Sequence, residues 1–408
     1  MSGSAIERLR ALYARAGRPY SATIEVADRC NEVCVHCYQV QGLKGEMSTE
    51  DLRRVIDELA EAGVLLLTFS GGEPTLRRDL LELIAHARQR GMMIVLFTNG
   101  LRVDRELARA LAAQHLFQVE ISLYSQRPEV HDAVTRVPGS WKRTVQAVRW
   151  LREEGVRVLV KTPVARFNED EIAEYERFVE SLGATLELGS EGMHFREGGS
   201  SEPHRYDRSG EAALGLYRRF GIDAEPIEAE EKLGLSPCGA CRSVHIEANG
   251  EVRPCNRLEL PVGDVSRPGG LGEALRDHPE RRFLRTTRWG DLHGCRDCDL
   301  MPYCERCYAD ALQETGDALG PYRKACDAAR LRYEASRGSE PVIESADAGD
   351  GRVGPYRAIG AHRFRAVPDV RTAEDEARAR EHPWVRGGER LVPTSRLSRG
   401  RDGFVAAE

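Results

Sequence analysis

Apolar and polar positions along the first half of the chain alternate between two periods. Runs rich in apolar and β-branched residues occur at 21–27, 64–70, 92–98, 117–123, 156–162 and 184–188. Between them lie stretches at 47–61, 80–90, 103–114, 140–154 and 169–182, where apolar residues return every three or four positions. The first repeat is that of half-buried or buried strands, the second that of helices. Within 47–61, Leu52, Val55, Ile56 and Leu59 mark one helical face, and Ser48 or Thr49 offers a cap. Gly91 supplies a stop for the helix before it. Strands alternating with helices imply parallel pairing and right-handed crossovers. The expected class is α/β, an open, partial barrel over about 20–195 within a first domain of 1–195.

The pattern then changes. Residues 196–236 open with the polar, glycine-rich REGGSSEPHRYDRSG and read as a linker, with a short helix near 214–220. Residues 237–335 have few periodic runs, and a unit that builds little apolar core needs staples. The stretch 336–408 carries 13 Arg and no Lys, and only 372–381 looks helical. Its composition predicts poor order; the functional alternative is a docking arm for a substrate or partner. The longest apolar runs, such as 92–97, fall far short of the ~20 residues of a membrane span. The first twenty residues lack the apolar core of a secretory signal, so a cytoplasmic location is expected. With 59 basic against 65 acidic residues, nothing suggests nucleic acid as a partner.

Eleven cysteines change the picture. The number is odd, which excludes a complete set of internal disulfides. In a reducing compartment, clustered cysteines more often bind metal or do redox chemistry. Cys30, Cys34 and Cys37 have the spacing C-x3-C-x2-C on the loop after the first strand. That end of the strands is where α/β barrels place their chemistry. Three thiolates hold three irons of a 4Fe–4S cluster and leave the fourth iron open. Two other readings compete: unmetallated core cysteines, or zinc with His36 as fourth ligand. The second strand ends in TFSGGEPTL, giving Gly71, Gly72, Glu73 and Pro74. The glycines permit close backbone approach, and Glu73 places a carboxylate near the cysteine loop if the two strands are neighbours. Alone, GGEP is only a turn.

Together, CNEVCVHC and GGEP on successive strands resemble the radical S-adenosylmethionine (SAM) enzymes. The resemblance implies that Cys30, Cys34 and Cys37 ligate a 4Fe–4S cluster whose open iron chelates the amino and carboxylate groups of SAM. It implies that Gly71, Gly72, Glu73 and Pro74 contact SAM, and that His36 lies near adenine. Asn99 in FTNG and Ser122 in EISLYS match polar positions that approach SAM in relatives, and Lys161 points from the fifth strand. Asn99 also suits a plain turn, and Ser122 and Lys161 ordinary strand alternation.

The other cysteines lie in SPCGACRS, ANGEVRPCN, HGCRDCDLMPYCERCYAD and KACDAA. Their C-x2-C pairs suit metal chelation, which zinc ribbons also use. Their order resembles the SPASM extension of radical SAM enzymes, which holds two auxiliary 4Fe–4S clusters. By that pattern Cys238, Cys241, Cys255 and Cys307 ligate one cluster, and Cys295, Cys298, Cys304 and Cys326 the other. The three sets use all eleven cysteines. Cys304-x2-Cys307 departs from the family's commoner three-residue gap. A hairpin of 244–247 and 251–253 around Asn249 and Gly250 would bring Cys241 and Cys255 close.

The fold expected is therefore an α/β, partial (β/α)6 TIM-like barrel followed by a small cysteine-rich iron–sulfur domain. Abstracting hydrogen from an unactivated carbon is beyond any side-chain base, so a cofactor must carry that chemistry. The resemblance implies reductive cleavage of SAM to a 5′-deoxyadenosyl radical, with one-electron reduction by an external flavodoxin- or ferredoxin-type donor. ISLYS and KTP look most like enzymes that cross-link or oxidise ribosomally made peptides or proteins. Asn256 stands where sulfatase-maturing relatives commonly have Asp, which counts against that activity. The short stretch before the first strand leaves leader binding to a separate protein or to the arginine-rich tail. The alternatives are a small-molecule substrate, such as a tetrapyrrole or sugar, and a non-catalytic metal or electron-transfer protein.

Overall fold

The computed structural model describes residues 8–9, 12–13, 16, 18–189, 192–220, 226–240, 242–276, 278–337, 356–359 and 372–382. The six expected strands form as β1 Ser21–Ala27, β2 Leu66–Gly71, β3 Met93–Thr98, β4 Gln118–Ser122, β5 Val158–Pro163 and β6 Thr185–Gly189. They pair in parallel, each with the next. Alternation divides their side chains between two faces. Ala22, Ile24 and Val26 of β1 join Leu67 and Phe69 of β2 in the core formed with the helices. Glu25, Glu120, Lys161 and Glu187 fall on the opposite, inner face, where Lys161 bridges to both Glu120 and Glu187.

The helices follow the pattern. Thr49–Glu61 is capped by Ser48, whose Oγ accepts the Asp51 N–H at 3.1 Å, and it buries Leu52, Val55, Ile56 and Leu59. One further helix, Pro128–Thr135, follows β4. At eight residues it is too short to show a period; Pro128 in its first turn is its signal.

The cysteine-rich unit continues the same sheet. The expected hairpin forms from β7 Val244–Ile246 and β8 Glu251–Arg253, with β9 Gly263–Asp264 beyond. β7 pairs in parallel with β1. With β10 at Tyr356–Ile359, the full order is β10-β6-β5-β4-β3-β2-β1-β7-β8-β9.

The 196–236 segment, expected as a linker with a short helix near 214–220, holds helices Gly210–Arg219 and Ala229–Leu233, and the first buries Ala213 and Tyr217 against Ala335. The expectation of poor order in 336–408 falls mostly outside the described residues. Those described include β10 Tyr356–Ile359, unforeseen and parallel to β6, and the expected helix, Ala373–Glu381. Asp375 of that helix pairs with Arg282, and His382 stacks on Phe283 at 3.7 Å between ring centroids. Among the described residues, no helix is long and apolar enough to cross a membrane.

A buried ion network ties the two units together. Lys44 pairs with Glu247 of the hairpin, with Glu197 at 2.7 Å and with Glu25 of β1 at 4.0 Å. Arg253 reaches Glu197 and Glu247, both at 3.0 Å. His245 sits between Glu25 and Glu247 at 3.3 and 3.2 Å. Burial works against its charge, but the two carboxylates outweigh burial and raise its pKa. Removing one partner of a buried pair leaves uncompensated charge, at a cost of about 3–5 kcal/mol. Lys44→Met should cost an amount near the lower end of that range, since Arg253 still faces two of the carboxylates. A lowered denaturation midpoint, largely restored in Lys44→Arg, is the expected result; an unchanged midpoint contradicts this role.

Candidate active site

The loop after β1 closes on itself through Asp28, whose carboxylate accepts the Lys44 N–H at 2.6 Å and the Gly45 N–H at 3.3 Å. Cys30, Cys34 and Cys37 lie on this loop, partly buried and unpaired by disulfides. The Cys37 N–H bonds to the Cys34 carbonyl at 3.1 Å, and Val33 and Val35 donate to carbonyls of Thr135 and Val134. Helix Pro128–Thr135, missed in the sequence, thus supports the cysteine loop.

The end of β2 supports it from the other side. Gly72 N–H donates to the Ala27 carbonyl at 2.7 Å, and Glu73 N–H to that of Arg29 at 2.9 Å. A Cβ at Gly71, where φ is +128°, would lie 2.2 Å from the Ala27 oxygen. At Gly72 it would lie 2.3 Å from the Arg29 oxygen. The two glycines are therefore required by protein–protein contact alone.

Glu73 is fully buried. Its Oε1 accepts from Thr75 N and Oγ1 at 3.0 and 2.6 Å and from Thr98 Oγ1 at 2.7 Å; Oε2 accepts the Asn99 N–H at 2.7 Å. Burial raises its pKa, and these donors oppose the rise. Pro74 begins the short 3-10 turn that carries Thr75. The Asn99 amide donates to Asn31 Oδ1 at 2.7 Å and approaches Cys30 Sγ at 3.8 Å. One hydrogen-bonded path thus runs from the ends of β2 and β3 to the first cysteine.

His36 packs edge-on against Tyr124, with centroids 4.7 Å apart, and beside Phe167 at 6.0 Å. Burial lowers its pKa to about 4, so it is neutral. Cys34 Sγ lies 3.3 Å from Glu32 Oε2 and 3.9 Å from Tyr124 OH. Ser122 and Lys161 face each other in the β4–β5 register. Lys161 is engaged by Glu120 at 2.8 Å and Glu187 at 3.1 Å, and lies over the Phe97 ring. The structure therefore gathers Cys30, Cys34, Cys37, Glu73 and Asn99, with His36 beside them. It places Lys161 in an ion pair of the inner wall.

The sequence reading missed Asn31, Thr75, Thr98 and Tyr124. Thr98 precedes Asn99 in FTNG and Tyr124 follows the ISL run, so both lay in stretches already noted; nothing local marks Asn31.

Burial and neighbouring thiols raise the pKa of most of the later cysteines. Burial raises Cys238 to about 11, with Cys255 adding, and raises Cys307 further, with Asp310, Cys238 and Cys255 contributing. Burial lifts Cys295, to which Cys326 and Cys298 add, and lifts Cys304 to about 12, to which Cys295 adds. Cys326 is raised by burial and by Cys298. Cys241 lies outside the described residues. A cavity of about 390 Å³ adjoins Cys238, Cys255, Cys304 and Cys307, lined by six lysine and arginine side chains against Glu305 and Asp310. The two cysteine regions meet where Asn256 Nδ2 donates to Tyr38 OH at 3.1 Å.

These donor sets suit iron–sulfur clusters. Cys30 is pushed up to about 12, by burial first, with Glu73, Glu32 and Cys37 adding. Burial also raises Cys34 and Cys37. Such thiols stay protonated until metal displaces their protons. A single tetrahedral zinc, with Zn–S near 2.3 Å, draws its sulfurs to about 3.8 Å from one another. Among the described residues, the only three candidate ligand atoms within 4.8 Å of one another are those of Glu25, His245 and Glu247, already held by Lys44 and Arg253.

A half-barrel with such a thiol loop at its mouth, joined to a second cysteine-rich unit, defines an iron–sulfur enzyme. Residues 24–179 match the radical SAM superfamily, and residues 238–308 match SPASM, an iron–sulfur cluster-binding domain. The mycofactocin maturase MftC of Mycolicibacterium smegmatis is 36% identical over 312 residues, 70% of this chain and 77% of that protein. An AdoMet-dependent heme synthase of Nitratidesulfovibrio vulgaris is 27% identical over 335 residues, 72% of this chain and 89% of that one. Streptococcus suis SuiB bound to its precursor peptide SuiA shares the fold, with a TM-score of 0.59 at 15% identity over 80% of this chain and 82% of that one. The chain belongs to the radical SAM enzymes that carry a SPASM domain. Membership brings a SAM-associated 4Fe–4S cluster and further iron–sulfur clusters in the SPASM domain.

Gly72→Ala should push the cysteine loop away from β2. The expected result is loss of about four irons per chain on anaerobic reconstitution, one cluster's worth. Undiminished iron and an unchanged electron paramagnetic resonance spectrum would contradict the close contact.

Proposed function

We propose that this enzyme modifies a ribosomally synthesised peptide or protein, by cross-linking or oxidation. The supporting observation is the 36% identity to a mycofactocin maturase over most of both chains. The inner barrel wall agrees with it. Its paired charges, Glu120, Lys161 and Glu187, suit a polar peptide better than the flat apolar face of a macrocycle.

In this reading Cys30, Cys34 and Cys37 hold the SAM-binding cluster. When bound, that cluster and SAM supply a 5′-deoxyadenosyl radical able to take hydrogen from an unactivated carbon. Gly71, Gly72, Glu73 and Pro74 fix the methionine end, and Asn99, Ser122 and Lys161 line the approach. Glu73 acts partly through Asn99, whose backbone N–H it accepts. Neutral His36, with Tyr124 and Phe167, offers an apolar aromatic surface for adenine and excludes water. Cys238, Cys241, Cys255 and Cys307 hold one auxiliary cluster; Cys295, Cys298, Cys304 and Cys326 hold the other. The partners are the peptide, a one-electron donor of flavodoxin or ferredoxin type, and a separate leader-binding protein. A reducing cytoplasm suits these free thiols.

A second reading, a tetrapyrrole substrate, draws on the 27% identity to a heme synthase across 89% of that protein. Anaerobic incubation with SAM, reductant and either short peptides encoded beside the gene or an iron porphyrin separates the two. A peptide lighter by two hydrogens is expected; porphyrin conversion with every peptide untouched would overturn the proposal.

Cys37→Ala should abolish SAM cleavage. Cys298→Ala should retain cleavage while product formation falls. Wild-type turnover in both variants contradicts this division of roles.

A further inference from the structure

Arg306 lies inside the segment Cys304–Cys307, where the chain crosses from one late cysteine set to the other. Its side chain is nearly buried, at 7% exposed. One guanidinium nitrogen donates to the Leu319 carbonyl at 3.1 Å and lies 3.6 Å from Cys295 Sγ. The other donates to the Ala318 carbonyl at 2.6 Å. The Asp317 carboxylate fixes that turn by accepting the N–H groups of Leu319 and Gly320. The guanidinium also faces the Tyr322 ring at 5.6 Å, and Tyr322 OH accepts the Cys307 N–H at 2.8 Å. The Arg306 side chain therefore meets Cys295 directly and Cys307 through Tyr322.

Its charge has no carboxylate partner among the described residues. The carbonyls satisfy hydrogen bonds but do not neutralise it. A buried unpaired cation is costly, and neutral thiols do not lower that cost. Thiolate ligands around an iron–sulfur core do, because the assembled cluster is anionic.

We propose that Arg306 is a positioning residue for the auxiliary clusters, which places its N–H group on Cys295 sulfur and raises the reduction potential of the cluster that Cys295 ligates. The physical basis is general: positive charge and hydrogen bonds to ligand sulfur favour the more negative, reduced form. The inference rests on the ligand sets proposed above.

The test is a redox titration of the full reconstituted chain, followed by electron paramagnetic resonance, with iron and sulfide counted. Arg306→Gln should shift one auxiliary midpoint to more negative potential and leave the SAM-binding cluster unmoved. Arg306→Lys, which keeps the charge but not the fork, should shift it less. Full iron with unmoved midpoints in Arg306→Gln overturns the inference. If Arg306→Gln sheds iron, Arg306→Lys decides, and a wild-type midpoint there overturns it. A wild-type chain holding only about four irons would instead defeat the ligand reading on which the inference rests.

Discussion

Two backbone hydrogen bonds organise the active site: Gly72 N–H to the Ala27 carbonyl and Glu73 N–H to the Arg29 carbonyl. They hold the end of β2 against the start of the cysteine loop at a separation that admits no Cβ. Once that contact is made, Glu73 is buried and must find donors, which Thr75, Thr98 and Asn99 provide. Asn99 then reaches Asn31 and the vicinity of Cys30. The position of the first cysteine follows from the meeting of three strand ends.

A second constraint sets the relation between the two cysteine regions. Because β7 pairs directly with β1, the SPASM hairpin is part of the barrel's own sheet. Lys44, Glu197, Arg253 and Glu247 lock the loops on either side of that junction, and the contact of Tyr38 with Asn256 joins the residues that follow Cys37 and Cys255. The relation between the two cysteine regions is thus fixed by paired backbone and buried charge.

Features carried by local period or fixed spacing were legible in the sequence. The strands of the half-barrel showed as apolar runs, and the helix Thr49–Glu61 showed its cap and buried face. The cysteine motif and GGEP were legible because their chemistry needs residues at short, constant separations. What stayed hidden depends on partners far along the chain. The β1–β7 pairing joins residues more than two hundred positions apart, and nothing in Val244–Ile246 names its neighbour. Lys161 showed only as a residue pointing from the fifth strand, because Glu120 and Glu187, which engage it, come from two other strands. The glycines of GGEP were read for the room they give a ligand; their close contacts with Ala27 and Arg29, which also exclude a Cβ, come from residues far back along the chain. Within 196–236 the helix near 214–220 showed, whereas Ala229–Leu233, at five residues, is too short to display a period.

The central claim is that three loop sulfurs leave one iron corner open to the methionine end of SAM beside Glu73. Electron–nuclear double resonance on the reduced full-length enzyme, with SAM labelled by ¹⁵N at its amino group and ¹⁷O at its carboxylate, tests it directly. The account predicts strong hyperfine coupling of both labels to a cluster, absent in Cys34→Ala. Tight SAM binding without coupling of either label would contradict it.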